Sequence, residues 1–307
     1  MNSNKLRRVF HGSFFPYLLF AVLTVIWGSN FILMKKAGMA FGPIMISFSR
    51  VFLGACVLWG MVFATKIKWQ FETRDFIALL IPVLVGAVLP YSILPWLIDR
   101  NGSGLIGMMI GLVPIMTVIV SIPILNQWPG TLKLIGVTGG FIFLIVLMGE
   151  SIRHKAQLTD MILASLVPLC YAVANTYIKK RFKETPPLLL SCTVLTMSAF
   201  ILFPLVFVLP WPVMKDEANA NLLTAIIALF ANGFLATGFA TFGFYYLISK
   251  RGPLFAGLVA YLIPFGAIIW GWLDGETVTK IQIISICGIL AMVAFIECGA
   301  KEEKISN

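Results

Sequence analysis

The chain has 307 residues, 59% hydrophobic and 12% charged, with a mean hydropathy of +0.95 and a formal net charge of +10. A soluble domain carries charge on about a quarter of its residues, so this balance excludes one and points to a membrane chain. Nucleic acid is not needed to explain the positive charge, because the cations sort by loop.

A helix needs about 20 apolar residues to cross about 30 Å of hydrocarbon. Charge-free runs and turn punctuation predict ten helices, at 15–36, 43–64, 76–98, 103–125, 132–149, 160–181, 187–209, 222–248, 253–273 and 281–299. Lys5, Arg7 and Arg8 precede the first run as they would in a signal peptide. That run ends at Trp27-Gly28-Ser29-Asn30 without a small-x-small cleavage site, so a retained first helix is expected. The longest polar connectors, 65–75, 150–159 and 211–221, leave no room for a soluble domain.

The sequence also matches itself. A shift of 144 lays Lys35 on Lys179, Lys36 on Lys180, Pro43 on Pro187 and Ser47 on Ser191. A shift of 150 lays Leu97 on Leu247, Gly102 on Gly252, Gly107 on Gly257 and Pro114 on Pro264. The two shifts differ by six residues, which places an insertion in the connector 211–221. The division is therefore expected at 1–149 and 150–307. Five helices per copy force the second copy to enter from the opposite side, so the copies are inverted, as in many transporters. With both termini in the cytoplasm, the inner segments hold fifteen Lys and Arg and the outer loops seven, which fits the positive-inside rule. The expected fold is thus an all-α polytopic membrane protein of two inverted five-helix repeats.

In such folds the solute sits near midplane between the halves. Trp27, Asn30 and Phe31 in helix 1 correspond to Tyr171, Ala174 and Asn175 in helix 6. Tyr91 in helix 3, Thr237, Thr241 and Tyr245 in helix 8, and Tyr261 in helix 9 add further polar and aromatic positions. Thr237, Thr241 and Tyr245 run at i, i+4 and i+8, one stripe on an α-helix. Either these side chains line a wet cavity, or they bond neighbouring helices and their own backbone. Arg50 is the basic residue well inside a span, where a charge costs about 2.5–3.5 kcal/mol on insertion scales. It either snorkels or binds carbonyls, or it meets a substrate anion; Asp99, Asp274 and Glu276 are its candidate partners. Pro114 and Pro264 occupy matching positions as hinges, or they shape a static bundle.

Other chemistry lacks parts. Gly102-Ser103-Gly104-Leu105-Ile106-Gly107 spells a dinucleotide fingerprint but opens a membrane helix with no strand before it. Gly107 with Gly111, and Gly136 with Gly140, have the spacing of close helix contacts instead. The two histidines, His11 and His154, lie outside the spans, and the five cysteines have no ligand spacing. No cofactor, no metal and no enzymatic activity is expected.

The chain resembles the EamA-type branch of the drug/metabolite transporter superfamily. The residues that carry the likeness are Trp27-Gly28-Ser29-Asn30-Phe31, Pro43 with Arg50, and Gly107 with Pro114. The second copy adds Tyr171, Lys179, Gly257 with Pro264, and Gly275-Glu276, so the likeness spans nearly all of 15–299. It implies a carrier in the bacterial inner membrane, with a central cavity built from helices 1, 3, 4, 6, 8 and 9. It also implies export of amino acids or related small metabolites. Nucleotide sugars, drugs and lipid-linked sugars are alternative cargoes, and a non-transporting structural or sensory subunit is the alternative of another class. Asn126 stands where the second copy has Glu276, a departure that touches any role needing both acids.

Overall fold

A segment inside hydrocarbon must satisfy its own backbone N–H and C=O groups, and a helix does so unaided. The computed structural model describes residues 15–126, 128–151, 157–215, 222–273 and 279–305. Among them no strand forms, and one isolated bridge joins Phe41 to Met214. The helices are α1 (Phe15–Ala37), α2 (Pro43–Thr65), α3 (Thr73–Asn101), α4 (103–125), α5 (Thr131–Ser151), α6 (Leu158–Arg181), α7 (Pro187–Val208), α8 (Leu222–Arg251), α9 (253–273) and α10 (Lys280–Ile305). Six of them, α1, α2, α3, α6, α7 and α8, are long and apolar enough to cross a bilayer. The others contain shorter apolar stretches, Ile110–Leu125, Thr131–Val146, Pro253–Gly266 and Ile283–Ile296. Large apolar side chains such as Phe63, Phe200 and Phe207 stand exposed on the outside of the bundle. Lipid, not water, is the solvent for such a surface. The chain is a multi-pass membrane protein.

Local chemistry sets the ends. Pro43, Pro187 and Pro253 open their helices, where a missing N–H costs nothing. α3 begins three residues before the expected start, because the Asp75 carboxylate accepts the Glu72 N–H (3.0 Å) and caps the first turn. Gly102 (φ 83°) and Gly252 (φ 92°) separate α3 from α4 and α8 from α9 in a backbone conformation that only glycine adopts freely. They stand 150 residues apart.

Polar contacts fix which helix ends lie together. Arg100 Nε and Asn101 Nδ2 both donate to the Asp160 carboxylate (3.0 and 2.9 Å), joining the C-terminus of α3 to the start of α6. Lys215 pairs with Asp99 at 3.1 Å, and its N–H donates to the Ala40 carbonyl at 2.7 Å. At the opposite end Arg181 pairs with Asp75 at 2.8 Å, Lys179 donates to the Ser249 carbonyl at 2.9 Å, and Arg251 donates to the Tyr17 hydroxyl at 2.9 Å. α1 and α3 therefore run one way through the bundle, and α6 and α8 the other. The packing pairs come in matched sets: α1 on α9 and α6 on α4, α1 on α8 and α6 on α3, with α2 against α7 and α5 against α10. Asp160 is almost wholly buried, and Asp160→Ala removes the acceptor of one Arg100 donor and of one Asn101 donor, while the Asn101 amide keeps the Leu97 carbonyl at 3.2 Å. We expect that variant to show a lower melting temperature in detergent.

Thirteen residues separate Val208 of α7 from Leu222, the first described residue of α8, against seven, 66–72, between α2 and α3. The difference of six is the insertion expected from the two shifts. Part of the longer connector lies along the α1–α2 turn, through the Phe41–Met214 bridge and the Lys215 contacts.

Candidate functional site: a central cavity lined by aromatic and polar side chains

α3 and α8 each carry an eight-residue π-helical stretch, Ile81–Val88 and Asn232–Phe239. Such i→i+5 turns widen a helix and leave its carbonyls open to outside donors. The stretch in α3 lies against α6 and α7, and that in α8 against α2 and α1. Beside the α3 stretch is a cavity of about 80 Å³, lined by α1, α2, α3, α4, α6, α7, α8 and α9. A water needs about 10–15 Å³ of such space, so the cavity holds a handful of waters or one small solute. A second cavity, about 610 Å³, opens at the end of the bundle marked by Lys35, Asp99 and Lys215. Met34 lines this larger cavity and touches Arg50, which lines the smaller.

Trp27 holds α1 to the widened part of α8. Its indole Nε1 donates to the Ala236 carbonyl (2.9 Å), and its ring lies 4.8 Å from that of Phe244. A little further along α1, the Asn30 Oδ1 accepts from Asn232 Nδ2 at 2.8 Å. Gly28 allows this approach on the other side: a Cβ there would lie 2.9 Å from the Gly266 Cα of α9.

Arg50 is 2% exposed. Its Nε donates to Thr237 Oγ1 at 3.0 Å, Nη1 faces the Met34 sulfur at 3.3 Å, and Nη2 reaches Asn30 Oδ1 at 3.5 Å. The guanidinium carbon lies 4.0 Å from the centre of the Tyr91 ring, a cation–π contact. Among the described residues no carboxylate pairs with it, and Asp99, one candidate, is paired with Lys215. Asp274 and Glu276, the other candidates, lie outside the described residues, as do Gly275, Arg153, His154 and Lys155.

Of the side chains expected at the site, Trp27, Asn30, Phe31, Tyr91, Tyr171, Asn175, Thr241 and Tyr245 line the cavity together, with Arg50 among them. The hydroxyls of Tyr91, Tyr171 and Tyr245 and the Asn175 amide have no hydrogen-bond partner among the described residues, and neither has the buried Thr241 hydroxyl. Two expected residues lie elsewhere. Thr237 is turned to Arg50, because the π stretch breaks the i, i+4 register that placed it with Thr241 and Tyr245. Tyr261 lies over Gly140 and donates to the Val137 carbonyl at 2.7 Å, tying α9 to α5 away from the cavity. Pro114 follows a 3-10 turn, Ile110–Leu112, where Val113 N–H replaces the donor that proline lacks at the Ile110 carbonyl. Pro264 lies inside a regular stretch of α9, whose break falls at Leu258. The expected close contacts of the glycine pairs are seen, with Gly107 on the Phe31 ring and Gly111 on Leu144.

Sequence reasoning missed Phe244 and the role of Asn232. A Phe in an apolar helix carries no signal, and Asn232 does not by itself reveal the π stretch that it opens. The α2 and α7 contributions, Arg50 with Val194 and Leu195, enlarge the expected set of lining helices.

Comparison with known proteins agrees with this architecture. A Bacillus subtilis (strain 168) protein described as an uncharacterized transporter, YoaV, is 24% identical over 264 residues, 85% of this chain and 89% of its own. A protein of Buchnera aphidicola subsp. Schlechtendalia chinensis, an uncharacterized transporter in the trpA 3' region, is 20% identical over 83% of this chain and 84% of its own. A solved crystal structure superposes with a TM-score of 0.75 over 94% of this chain and 98% of that one, at 16% identity, which bears on the fold alone. The model of the EamA-like transporter family matches twice, at residues 14–149 and 158–298, and the chain belongs to that family, within the drug/metabolite transporter superfamily.

Proposed function

We propose that the chain is a secondary transporter that carries a small organic solute, an amino acid or related metabolite, outward across a bacterial plasma membrane by alternating access. In this reading ten spans form two inverted copies, 1–149 and 150–307, with both tails in the cytoplasm. The observation that carries it is the central cavity, to which both copies contribute aromatic rings and unpartnered polar groups. Matched ties at the two ends add support. Arg100 and Asn101 hold the start of α6 at one end, and Arg251, 150 residues beyond Asn101, holds the start of α1 at the other. Loosening one set while keeping the other would open the cavity to one face at a time, with Pro114 and Pro264 as the bending points.

The test is counterflow in proteoliposomes with a panel of radiolabelled amino acids, nucleosides and sugars. Accumulation of one class against an internal pool of the same compound is the expected result, and no accumulation of any of them or of the corresponding 2-oxo acids sinks the reading. Single cysteines placed in the two tails should react with an impermeant maleimide from the same side; reaction from opposite sides sinks the inverted layout.

A further inference from the structure

Arg50 offers more hydrogen-bond donors than its surroundings use. A guanidinium has five N–H groups in a planar fork. One goes to Thr237 at 3.0 Å. Nη1 meets only a thioether, a weak acceptor, and Nη2 meets an amide oxygen at 3.5 Å that Asn232 already holds at 2.8 Å. Tyr91 covers one face of the fork and fixes its plane. The fork lies in the cavity wall, and among the described residues that wall contains no Asp or Glu. Thr241, 5% exposed and in the same wall, has a hydroxyl with no partner. Among the described residues the cavity thus carries one positive charge, several neutral donors and no negative charge.

We propose that Arg50 is the anion anchor of the transport site and that the site selects small monocarboxylates lacking an ammonium group, such as 2-oxo acids with a short apolar body. The inference rests on the transporter reading and takes its related-metabolite branch in preference to amino acids themselves. A carboxylate fits the guanidinium by two parallel N–H···O bonds, a geometry that lysine cannot reproduce. The phenol and threonine hydroxyls supply donors for a 2-oxo or 2-hydroxy oxygen, and the apolar wall takes the rest. An amino acid presents the same carboxylate, but its ammonium finds no carboxylate among the described residues of the wall. A bare amine meets only the like charge.

The experiment compares three compounds of one carbon skeleton in wild-type proteoliposomes: 4-methyl-2-oxopentanoate, leucine and 3-methylbutylamine. Counterflow of the oxo acid should exceed that of leucine at least tenfold, with none for the amine. Arg50→Lys should fold and raise the KM for the oxo acid at least tenfold. Arg50→Gln should abolish its exchange, with folded protein checked by size-exclusion chromatography; the lysine variant decides the matter should the glutamine variant not fold. Equal or faster exchange of leucine or the amine, or an unchanged KM in Arg50→Lys, overturns the anchor and leaves transport standing. Silence with all three compounds and with the wider panel overturns both.

Discussion

Replacing Gly28 by leucine is expected to abolish transport and to lower the yield of folded protein at least tenfold. The reason is the closeness of two backbones. A Cβ on Gly28 would lie 2.9 Å from the Gly266 Cα, and a Cβ on Gly266 would lie 2.5 Å from the Gly28 Cα. Neither neighbour is a side chain that could swing aside, so α1 and α9 would have to move apart bodily. Overpacking a core usually costs about 1–3 kcal/mol, and a contact between backbones belongs at the top of that range or above it. Function should suffer as well, because Trp27, Asn30 and Phe31 flank Gly28 on the same helix and line the cavity. Gly60 is the control. It has open space where its Cβ would stand, so Gly60→Leu should leave yield and flux unchanged. Fluorescence-detected size exclusion and proteoliposome flux read both outcomes. A Gly28→Leu protein that folds and transports like wild type refutes the close approach.

The second large effect is expected from Trp27→Ala combined with Asn175→Ala, which should reduce flux at least tenfold while folded protein is retained. The two positions fail differently. Asn175 has no hydrogen-bond partner among the described residues, so Asn175→Ala breaks no hydrogen bond and should act chiefly on flux. Trp27 bonds the Ala236 carbonyl and meets Phe244, contacts worth about 0.5–1.5 kcal/mol each. Trp27→Ala should therefore lower the melting temperature as well as the flux. Trp27→Phe separates the two contacts, since it keeps an aromatic ring near Phe244 and leaves the Ala236 carbonyl open. Flux equal to wild type in the double alanine variant removes both residues from the transport site.

Much of the architecture was legible because membrane helices announce themselves by composition and length. The expected segments fall within a few residues of the observed helices, and the six-residue insertion appears in the predicted connector. The greatest differences are at polar ends, such as α10, which runs on to Ile305 where apolar content suggested 299. Amphipathic position also served well in α1 and α6, whose aromatic and amide residues meet at the cavity. What stayed hidden was the shift in helical register. Nothing in the residues 232–239 distinguishes a π stretch from α-helix, so Thr237 was expected beside Thr241 and instead holds Arg50. Tyr261 was misjudged for a simpler reason. A tyrosine that stacks on a glycine of another helix reads, in one dimension, like a tyrosine that faces water.

The longer connector between α7 and α8 gives the two faces of the bundle unequal footing. It binds the α1–α2 turn through the Lys215 N–H and adds an ion pair to Asp99. Among the described residues no backbone hydrogen bond joins the corresponding 66–72 and 182–186 segments at the far end. A perfectly duplicated carrier would be indifferent to the direction in which it pointed. One hydrogen bond and one exposed ion pair together amount to about 1–2 kcal/mol. At about 1.4 kcal/mol per factor of ten, that is enough to make one orientation the resting one. Under the alternating-access reading proposed above, a small local break in symmetry would hand the molecule a default state from which each cycle starts.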